Sequence, residues 1–301
     1  MDGRAITVTG LTKRFGAVTA VDDLTFTAQP GRVTGFLGPN GAGKSTTLRA
    51  LVGLIKPTAG DARIGGDHYA DLERPAAVVG TQFEPAFHPG RTARDHLRVY
   101  APLVGAADAA CDAVLERVGM TEAANRRVGG YSLGMRQRLG LATALLGDPQ
   151  VLLLDESANG LDPAGVRWLR EFVRTFAADG GTVLVSSHLL SEVEQTVDDV
   201  VNIAHGRLRH ASTLDDLRRM AEPGATLRSP NAAELEALVH ERWPQAVRDV
   251  RDGVATVAGI TAAEAGAAAF AAGVELHELA PIGESLESLF LRLTADEEAV
   301  A

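Results

Sequence analysis

One short segment constrains the fold of this 301-residue chain more than any other: a glycine-rich loop, Gly-Pro-Asn-Gly-Ala-Gly-Lys-Ser, at residues 38–45. It follows an apolar stretch, Arg32–Leu37, and precedes a helical pattern over Thr46–Leu54. A phosphate-binding loop needs this strand–loop–helix context, because glycines let backbone amides turn towards a phosphate and the helix N-terminus adds favourable partial charge. The segment therefore predicts an α/β fold that binds a nucleotide beyond the end of a central strand.

The residues of the loop have different expected roles in nucleotide binding. Lys44 is expected to reach the β- and γ-phosphates of the nucleotide, and Ser45 is expected to hold Mg²⁺. The rest of the phosphate contacts would come from Gly38, Pro39, Asn40, Gly41, Ala42, Gly43 and Thr46.

A second apolar run, Val151–Leu154, ends in Asp155 and Glu156. A continuous run of this kind is typical of a parallel strand that is buried on both faces. We expect the Asp155 carboxylate to meet the magnesium shell and Glu156 to polarise an attacking water. Taken alone, the pair could equally be a strand edge meeting solvent, so its interpretation depends on the presence of Lys44.

Three further motifs complete an ordered set. They are a Ser-x-Gly helix start, a Gly-Leu-Asp-Pro segment and an isolated histidine after an apolar strand: Tyr131–Arg138, Gly160–Pro163 and His188. In this order, behind the glycine loop and the Asp-Glu pair, they resemble the motifs of ATP-binding cassette (ABC) ATPases. The resemblance covers about residues 5–215. Within the family, the chain more narrowly resembles the branch that powers drug and antibiotic exporters.

The resemblance implies a role for each of these motifs. Ser132 and Gly134 would contact the γ-phosphate of an ATP held by the other subunit of a head-to-tail homodimer. Asp162 lies in the segment that would link the two sites across that dimer. His188 corresponds to the switch histidine that contacts the γ-phosphate, which makes it a candidate catalytic residue with Glu156 and Lys44. ATP and Mg²⁺ are the implied cofactors.

The Ser-x-Gly segment departs from the family's usual Leu-Ser-Gly-Gly-Gln. Leu133 stands where the family has glycine, and Met135 stands where it has glutamine. Similar departures occur in the antibiotic-export branch, so the segment is interpreted as a variant that still offers a hydroxyl and a close amide approach.

Two other positions are assigned through the resemblance. Phe15 aligns with the aromatic residue that stacks on adenine, with a core phenylalanine as the alternative. The segment 79–85 matches a loop whose glutamine touches Mg²⁺ or its water and faces the membrane subunit. Counting back from Pro89 with one deletion favours Glu84 for that metal role, and Gln82 remains the alternative.

The patterns also predict the domain organisation. Residues 1–221 would form the ABC ATP-binding domain, an α/β domain with a mixed sheet, an antiparallel β subdomain and a helical subdomain. Residues 222–301 would form a small α+β domain, because their βαββαβ order is that of a ferredoxin-like unit. The segment 284–290 resembles a tail of the drug-export branch, and it is either a docking or dimer-stabilising element or a plain packing helix.

Composition excludes some classes of protein. The net charge of −10 argues against a sequence-independent nucleic-acid binder, which needs basic surface to displace phosphate counterions. The single cysteine, Cys111, allows no internal disulfide and fits a reducing compartment. The start of the chain lacks a signal-peptide pattern. The stretch 254–274 is mostly Ala and Gly with Glu264 near its middle, so it is a poor candidate for a membrane span.

These features favour a peripheral subunit on the cytoplasmic face of the membrane that powers export through a separately encoded integral-membrane permease. One alternative is a soluble ATPase on the same cassette, of the translation or repair type, but such proteins carry two cassettes or a long inserted coiled coil. Another is a phosphotransferase on a generic phosphate loop, which would leave Ser132, Gly134 and His188 without a role.

Overall fold

The computed structural model describes residues 3–84, 86–221, 223–283 and 286–294. They form two compact units, of which the first contains the residues up to Leu214 and the second contains Asp215–Arg292. This boundary precedes the predicted one, after residue 221, because the short helix following Leu214 groups with the second unit. Residues 297–301, for which the sequence predicts a frayed end, lie outside the described residues, as do the first two residues of the tail segment 284–290.

The first unit alternates strands and helices along most of its length. In chain order its elements are β1 (Ile6–Phe15), β2 (Val18–Ala28), β3 (Val33–Leu37), α1 (Lys44–Leu51), β4 (Ala59–Ile64), α2 (Pro75–Val78), β5 (Val79–Gln82), α3 (Ala93–Val104), α4 (Asp108–Arg117), α5 (Leu133–Leu145), β6 (Val151–Asp155), α6 (Pro163–Ala178), β7 (Thr182–Ser187), α7 (Leu190–Val193), β8 (Asp199–Ala204) and β9 (Arg207–Thr213).

A six-stranded sheet in the order β5-β6-β7-β3-β8-β9 forms the centre of this unit. All its neighbouring strands are parallel except β8 and β9, which form an antiparallel hairpin. Every residue of β3 and β7 is buried, as a parallel strand covered on both faces requires. The prediction of a central parallel strand at Val151–Leu154 is confirmed. The sequence also predicts a hairpin formed by residues 200–204 and 207–210 around His205 and Gly206, and this hairpin is observed as β8 and β9.

A second, antiparallel sheet in the order β2-β1-β4 packs on the first. Phe26 on β2 stacks on Phe36 on β3 with ring centroids 5.1 Å apart, so one continuous apolar core serves both sheets. The antiparallel β subdomain and the helical subdomain, formed by α3 and α4, therefore agree with the sequence prediction.

Several boundaries were predicted incorrectly. The alternation of apolar and polar residues predicts a strand over Ile6–Thr9, but β1 continues to Phe15 because irregularities in its pairing with β2 let it bend and continue. The sequence also predicts a helix over residues 189–197, but the helix covers only Leu190–Val193, since Thr196 already closes a tight turn by donating to the Val193 carbonyl. Strands β4 and β5 were not predicted.

The second unit begins with helix α8 (Leu214–Met220), after which the chain has the predicted βαββαβ order. Its elements are β10 (Pro223–Arg228), α9 (Ala232–Arg242), β11 (Val247–Arg251), β12 (Val254–Ala258), α10 (Ala262–Ala272), β13 (Glu278–Gly283) and α11 (Leu286–Thr294). The sheet order β11-β12-β10-β13, with every pair antiparallel, confirms the ferredoxin-like arrangement.

The sequence predicts the last strand of this unit over residues 274–279, but the strand starts only at Glu278. The reason is local: after Gly273, which adopts a left-handed conformation, the Val274 amide donates to the Ala269 carbonyl and caps α10. The stretch 254–274 thus contains a strand and a separate helix. Among the described residues no helix has both the length and the apolar character needed to cross a bilayer.

The core of the main sheet gives a stability prediction. Leu153 lies fully buried on β6, so Leu153→Ala should lower the free energy of unfolding by about 2–5 kcal/mol through lost burial and a residual cavity. Leu54→Ala is the matched control, because that leucine is 68% exposed and should cost less than about 0.5 kcal/mol. Urea unfolding followed by circular dichroism measures both, and equal midpoints would contradict the assigned burial.

Candidate functional site

The parallel register of the main sheet brings the predicted motifs to one edge. Leu37, at the end of β3, pairs with Ser187 at the end of β7, and Asp155, at the end of β6, pairs with Ser186. Because the three strands end together, the glycine loop, the Asp-Glu pair and His188 emerge from the same side of the sheet.

Glycine is required sterically at two positions of the loop. Gly38 has φ of 155°, and a Cβ there would lie 2.2 Å from the Ile203 carbonyl oxygen. Gly43 has φ of 104°, and a Cβ there would lie 2.5 Å from the Ala20 carbonyl oxygen. No larger residue fits either place without movement of the backbone. Elsewhere in the loop, Pro39, Asn40 and Gly41 are exposed, Ala42 is buried, and Ser45 and Thr46 are half-buried in the first turn of α1.

Lys44 is the buried cation of the loop, with only 6% of its surface exposed. Its Nζ donates hydrogen bonds to the carbonyl oxygens of Gly38, at 2.6 Å, and Pro39, at 3.3 Å. The same Nζ lies 3.5 Å from Oε1 of Glu156. A buried ammonium group held among the loop carbonyls is suited to meet an anionic phosphate, because it needs a negative partner in this desolvated place.

Glu156 is positioned by its backbone and by two side chains. Its φ of 50° lies in the left-handed region, which is uncommon for a residue other than glycine, and its amide donates to Ser186 Oγ at 3.0 Å. Its Oε2 lies 2.9 Å from Nδ1 of His188 and accepts a 3.2 Å hydrogen bond from Nδ2 of Asn159. The predicted base and the predicted switch histidine are therefore in direct contact.

Asp155 and Ser45 supply the oxygen donors that a magnesium ion prefers. Asp155 Oδ1 accepts a 2.5 Å hydrogen bond from Ser186 Oγ, which fixes the carboxylate at the end of β6. Ser45 follows Lys44 at the start of α1. The chemistry of these residues fits a hard divalent cation beside a phosphate.

The Ser-x-Gly segment forms the start of helix α5. Ser132 is exposed and caps the helix, with its Oγ accepting from the Met135 amide at 3.3 Å. A Cβ at Gly134 would meet Leu161 at 3.5 Å, an ordinary contact, so packing within this chain does not demand glycine there. Leu133 covers Gly160, where an added Cβ would lie 2.0 Å from the leucine side chain.

The other two predicted residues belong to elements outside the main sheet. Asp162 caps helix α6 by accepting a 2.7 Å hydrogen bond from the Gly165 amide. Phe15 ends β1 with 49% of its surface exposed, which is not the burial of a core phenylalanine. The ammonium group of Lys13 lies 4.7 Å from its ring centroid, so the ring carries a cation–π contact.

Gln82 and Glu84 line the same groove in different ways. The groove has a volume of about 300 Å³, and its wall includes Phe87 and Tyr100, whose rings flank His96 at centroid distances of 4.9 Å. Gln82 is 3% exposed at the end of β5, whereas Glu84 is exposed on the following loop. Burial, reinforced by Arg91, lowers the pKa of His96 to about 4, so the imidazole is neutral at pH 7.

The sequence did not identify Ser186, Gln137 or Asn159 as site residues. Ser186 bonds both Asp155 and the Glu156 amide, and Asn159 contacts the Glu156 carboxylate. Gln137 bonds Gln82 and the Asn159 carbonyl. They are ordinary polar residues beside the recognised motifs, and proximity in sequence was the only signal that could have suggested them.

Comparison with known families supports the geometry. The family model described as "ABC transporter" matches residues 21–159, which include the glycine loop, the Ser-x-Gly turn and the Asp-Glu pair. Residues 223–287 match a family described as a domain of unknown function, DUF8746.

Curated relatives and solved structures agree with this match. The chain is 42% identical over 221 residues to the bacitracin transport ATP-binding protein BcrA of Bacillus licheniformis, covering 71% of each protein. It is 36% identical to the uncharacterized ABC transporter ATP-binding protein YdbJ of Bacillus subtilis, covering 95% of this chain and 94% of the relative.

A solved structure described as the ATP binding subunit of an ABC transporter superposes with a TM-score of 0.65 at 30% identity, covering 71% of this chain and 92% of that one. The chain therefore belongs to the ABC transporter family, as an ATP-binding subunit that hydrolyses ATP.

Proposed function

We propose that this chain powers export of a drug-like, antibiotic or lipid-like substrate through a separate integral-membrane permease, and that it works as a homodimer at the cytoplasmic face of the membrane. The observation that carries the ATPase part is the contact of Lys44, Glu156 and His188 at one sheet edge. The bacitracin transport ATP-binding protein to which the chain is similar supports an antibiotic as the class of substrate.

The chemistry assigned to each residue follows from its position. The loop amides and Lys44 bind the ATP phosphates, and Glu156 polarises the water that attacks the γ-phosphate. His188 orients the Glu156 carboxylate through their 2.9 Å contact and faces the same phosphate. Phe15 stacks on the adenine with its exposed ring.

Magnesium would be held by Ser45 and Asp155, with Glu84 as a further oxygen donor. When bound, the ion neutralises negative charge on the β- and γ-phosphate oxygens. Ser186 holds Oδ1 of Asp155 at the end of β6 through a 2.5 Å hydrogen bond, and the carboxylate fixed in this way would meet the ion.

The second copy completes the site. Ser132 is exposed at the start of α5, where a helix N-terminus favours an anion, and Gly134 beside it is half-buried. An added Cβ at Gly134 would meet only ordinary contacts, so packing within its own chain does not require glycine there. Two copies closing head to tail would each place this helix start on the γ-phosphate held by the partner. ATP then drives closure because it binds the closed dimer more tightly than the open one.

The permease is proposed to contact the groove next to Gln82 and Glu84. Its rim carries Leu103, which is 72% exposed, and half-exposed Tyr100, so apolar side chains are available to a partner segment. The movement that closes the dimer would be transmitted to the membrane protein at this groove.

The first functional prediction concerns the proposed base. Glu156→Gln keeps the size of the side chain but removes the carboxylate, so phosphate release should fall by about 100-fold or more while ATP still binds. Static light scattering with ATP and Mg²⁺ should show an accumulated dimer. Glu116→Gln, an exposed substitution on α4, is the control and should leave turnover unchanged. Normal turnover in Glu156→Gln would place the base elsewhere.

The second functional prediction concerns Phe15, the proposed stacking partner of the adenine ring. Phe15→Ala should raise the KM for ATP by roughly tenfold with little change in kcat, because the ring is proposed to touch the adenine and not the phosphates. Phe15→Tyr keeps the ring and should behave like the wild type. Steady-state ATPase assays measure both, and an unchanged KM in Phe15→Ala would remove Phe15 from the site.

The third concerns the groove. Leu103→Asp places a charge on its exposed rim and should abolish stimulation of ATPase activity by the reconstituted permease, while basal activity of the isolated chain stays within about twofold. Leu54→Asp, at another exposed leucine, is the control. Retained stimulation in Leu103→Asp would show that the permease binds another surface.

A further inference from the structure

The Glu156 carboxylate lies at the end of a chain of hydrogen bonds that starts at the groove. Gln82 Nε2 donates to Gln137 Oε1 at 2.5 Å and to the Gln137 carbonyl at 3.1 Å. Gln137 Nε2 donates to the Asn159 carbonyl at 3.3 Å, and Asn159 Nδ2 donates to Glu156 Oε2 at 3.2 Å. Three residues, from β5, α5 and the loop after β6, thus connect the groove with the Glu156 carboxylate.

The donor and acceptor roles in this chain are fixed at both ends. The backbone carbonyl of Gln137 can only accept, so the atom of Gln82 facing it is the amide nitrogen. Gln137 Oε1 accepts from that nitrogen, which leaves the Gln137 nitrogen to donate to the Asn159 carbonyl. The Glu156 carboxylate accepts when ionised, so Asn159 must present its own nitrogen. No amide in the chain can turn over without losing a bond.

The groove end of this chain has a vacant acceptor. Gln82 Oε1 is buried and has no hydrogen-bond partner among the described residues, while its nitrogen holds Gln137. A buried amide oxygen without a partner costs free energy, so a donor reaching it from the groove would bind there and act on the same side chain.

We propose that Gln137 and Asn159 are positioning residues that hold the Glu156 carboxylate and make its orientation depend on Gln82. A donor from a partner segment in the groove would pull on Gln82, and the 3.3 Å bond from Gln137 to Asn159 is long enough to break with a shift of a few tenths of an ångström. Asn159 would then release Glu156 Oε2, leaving it to His188. This inference rests on the proposed role of Glu156 as the base.

The test uses the purified full chain and steady-state ATPase kinetics. Asn159→Ala and Gln137→Ala should each change kcat by roughly three- to tenfold, the equivalent of one hydrogen bond, with the KM for ATP within about twofold. The double variant should change kcat no more than the stronger single variant, because both substitutions interrupt one chain. Asn125→Ala, an exposed asparagine bonded to Arg94, is the matched control and should leave kcat unchanged.

Isosteric variants show whether a change in kcat comes from the lost hydrogen bond or from misfolding. Gln137→Glu and Asn159→Asp keep the shape but lose the donating nitrogen, so they should reproduce the change in kcat with wild-type thermal unfolding. Wild-type kcat in either alanine variant, or fold-changes that multiply in the double variant, would overturn the proposed relay, the hydrogen-bond chain from Gln82 through Gln137 and Asn159 to Glu156. A Glu156→Gln variant measured in parallel separates the two proposals: if it is inactive while Asn159→Ala and Gln137→Ala behave like the wild type, only the relay fails.

Discussion

The parallel pairing of β3, β7 and β6 is the constraint on which the rest of this structure depends. Their ends come into register through the pairs Leu37–Ser187 and Asp155–Ser186, so three loops leave the sheet side by side. Each strand is buried on both faces, so a slip by one residue would move every side chain to the opposite face, where its packing partners differ. Polar groups that cannot be placed inside such a sheet collect at its edge, and the catalytic machinery is built from them.

At that edge, charges are stabilised by one another rather than by water. Lys44 is buried among loop carbonyls and faces Glu156, which in turn contacts His188. Removing any one of these groups leaves the others with fewer partners in a poorly solvated place, so they act as a unit. In the proposed mechanism, ATP adds an anion to a site that already holds a buried ammonium group, so the same cluster would both bind the nucleotide and orient Glu156.

Local patterns were sufficient to predict most of the fold. The apolar run 151–154 and the βαββαβ order of the C-terminal unit were predicted from periodicity, and both are observed. Errors occurred where local hydrogen bonds override periodicity: the Val274 amide is used to cap a helix, and a turn at Thr196 ends a helix early. Strand β5 is four residues long and has no pattern of its own until it pairs with β6.

The sequence alone determined the family, the phosphate loop and the residue types needed for ATP hydrolysis, because these depend on spacing within short segments. It could not decide between Gln82 and Glu84, since adjacent loop residues differ in orientation and not in pattern. The tertiary structure buries Gln82 against Gln137 and leaves Glu84 exposed in the groove. It also decided that Asn159 meets Glu156, because the contact depends on how the chain turns at a residue with positive φ. The Gln82–Gln137 contact joins elements distant in sequence, and the Asn159–Glu156 contact depends on the backbone conformation of a single turn; apolar periodicity encodes neither.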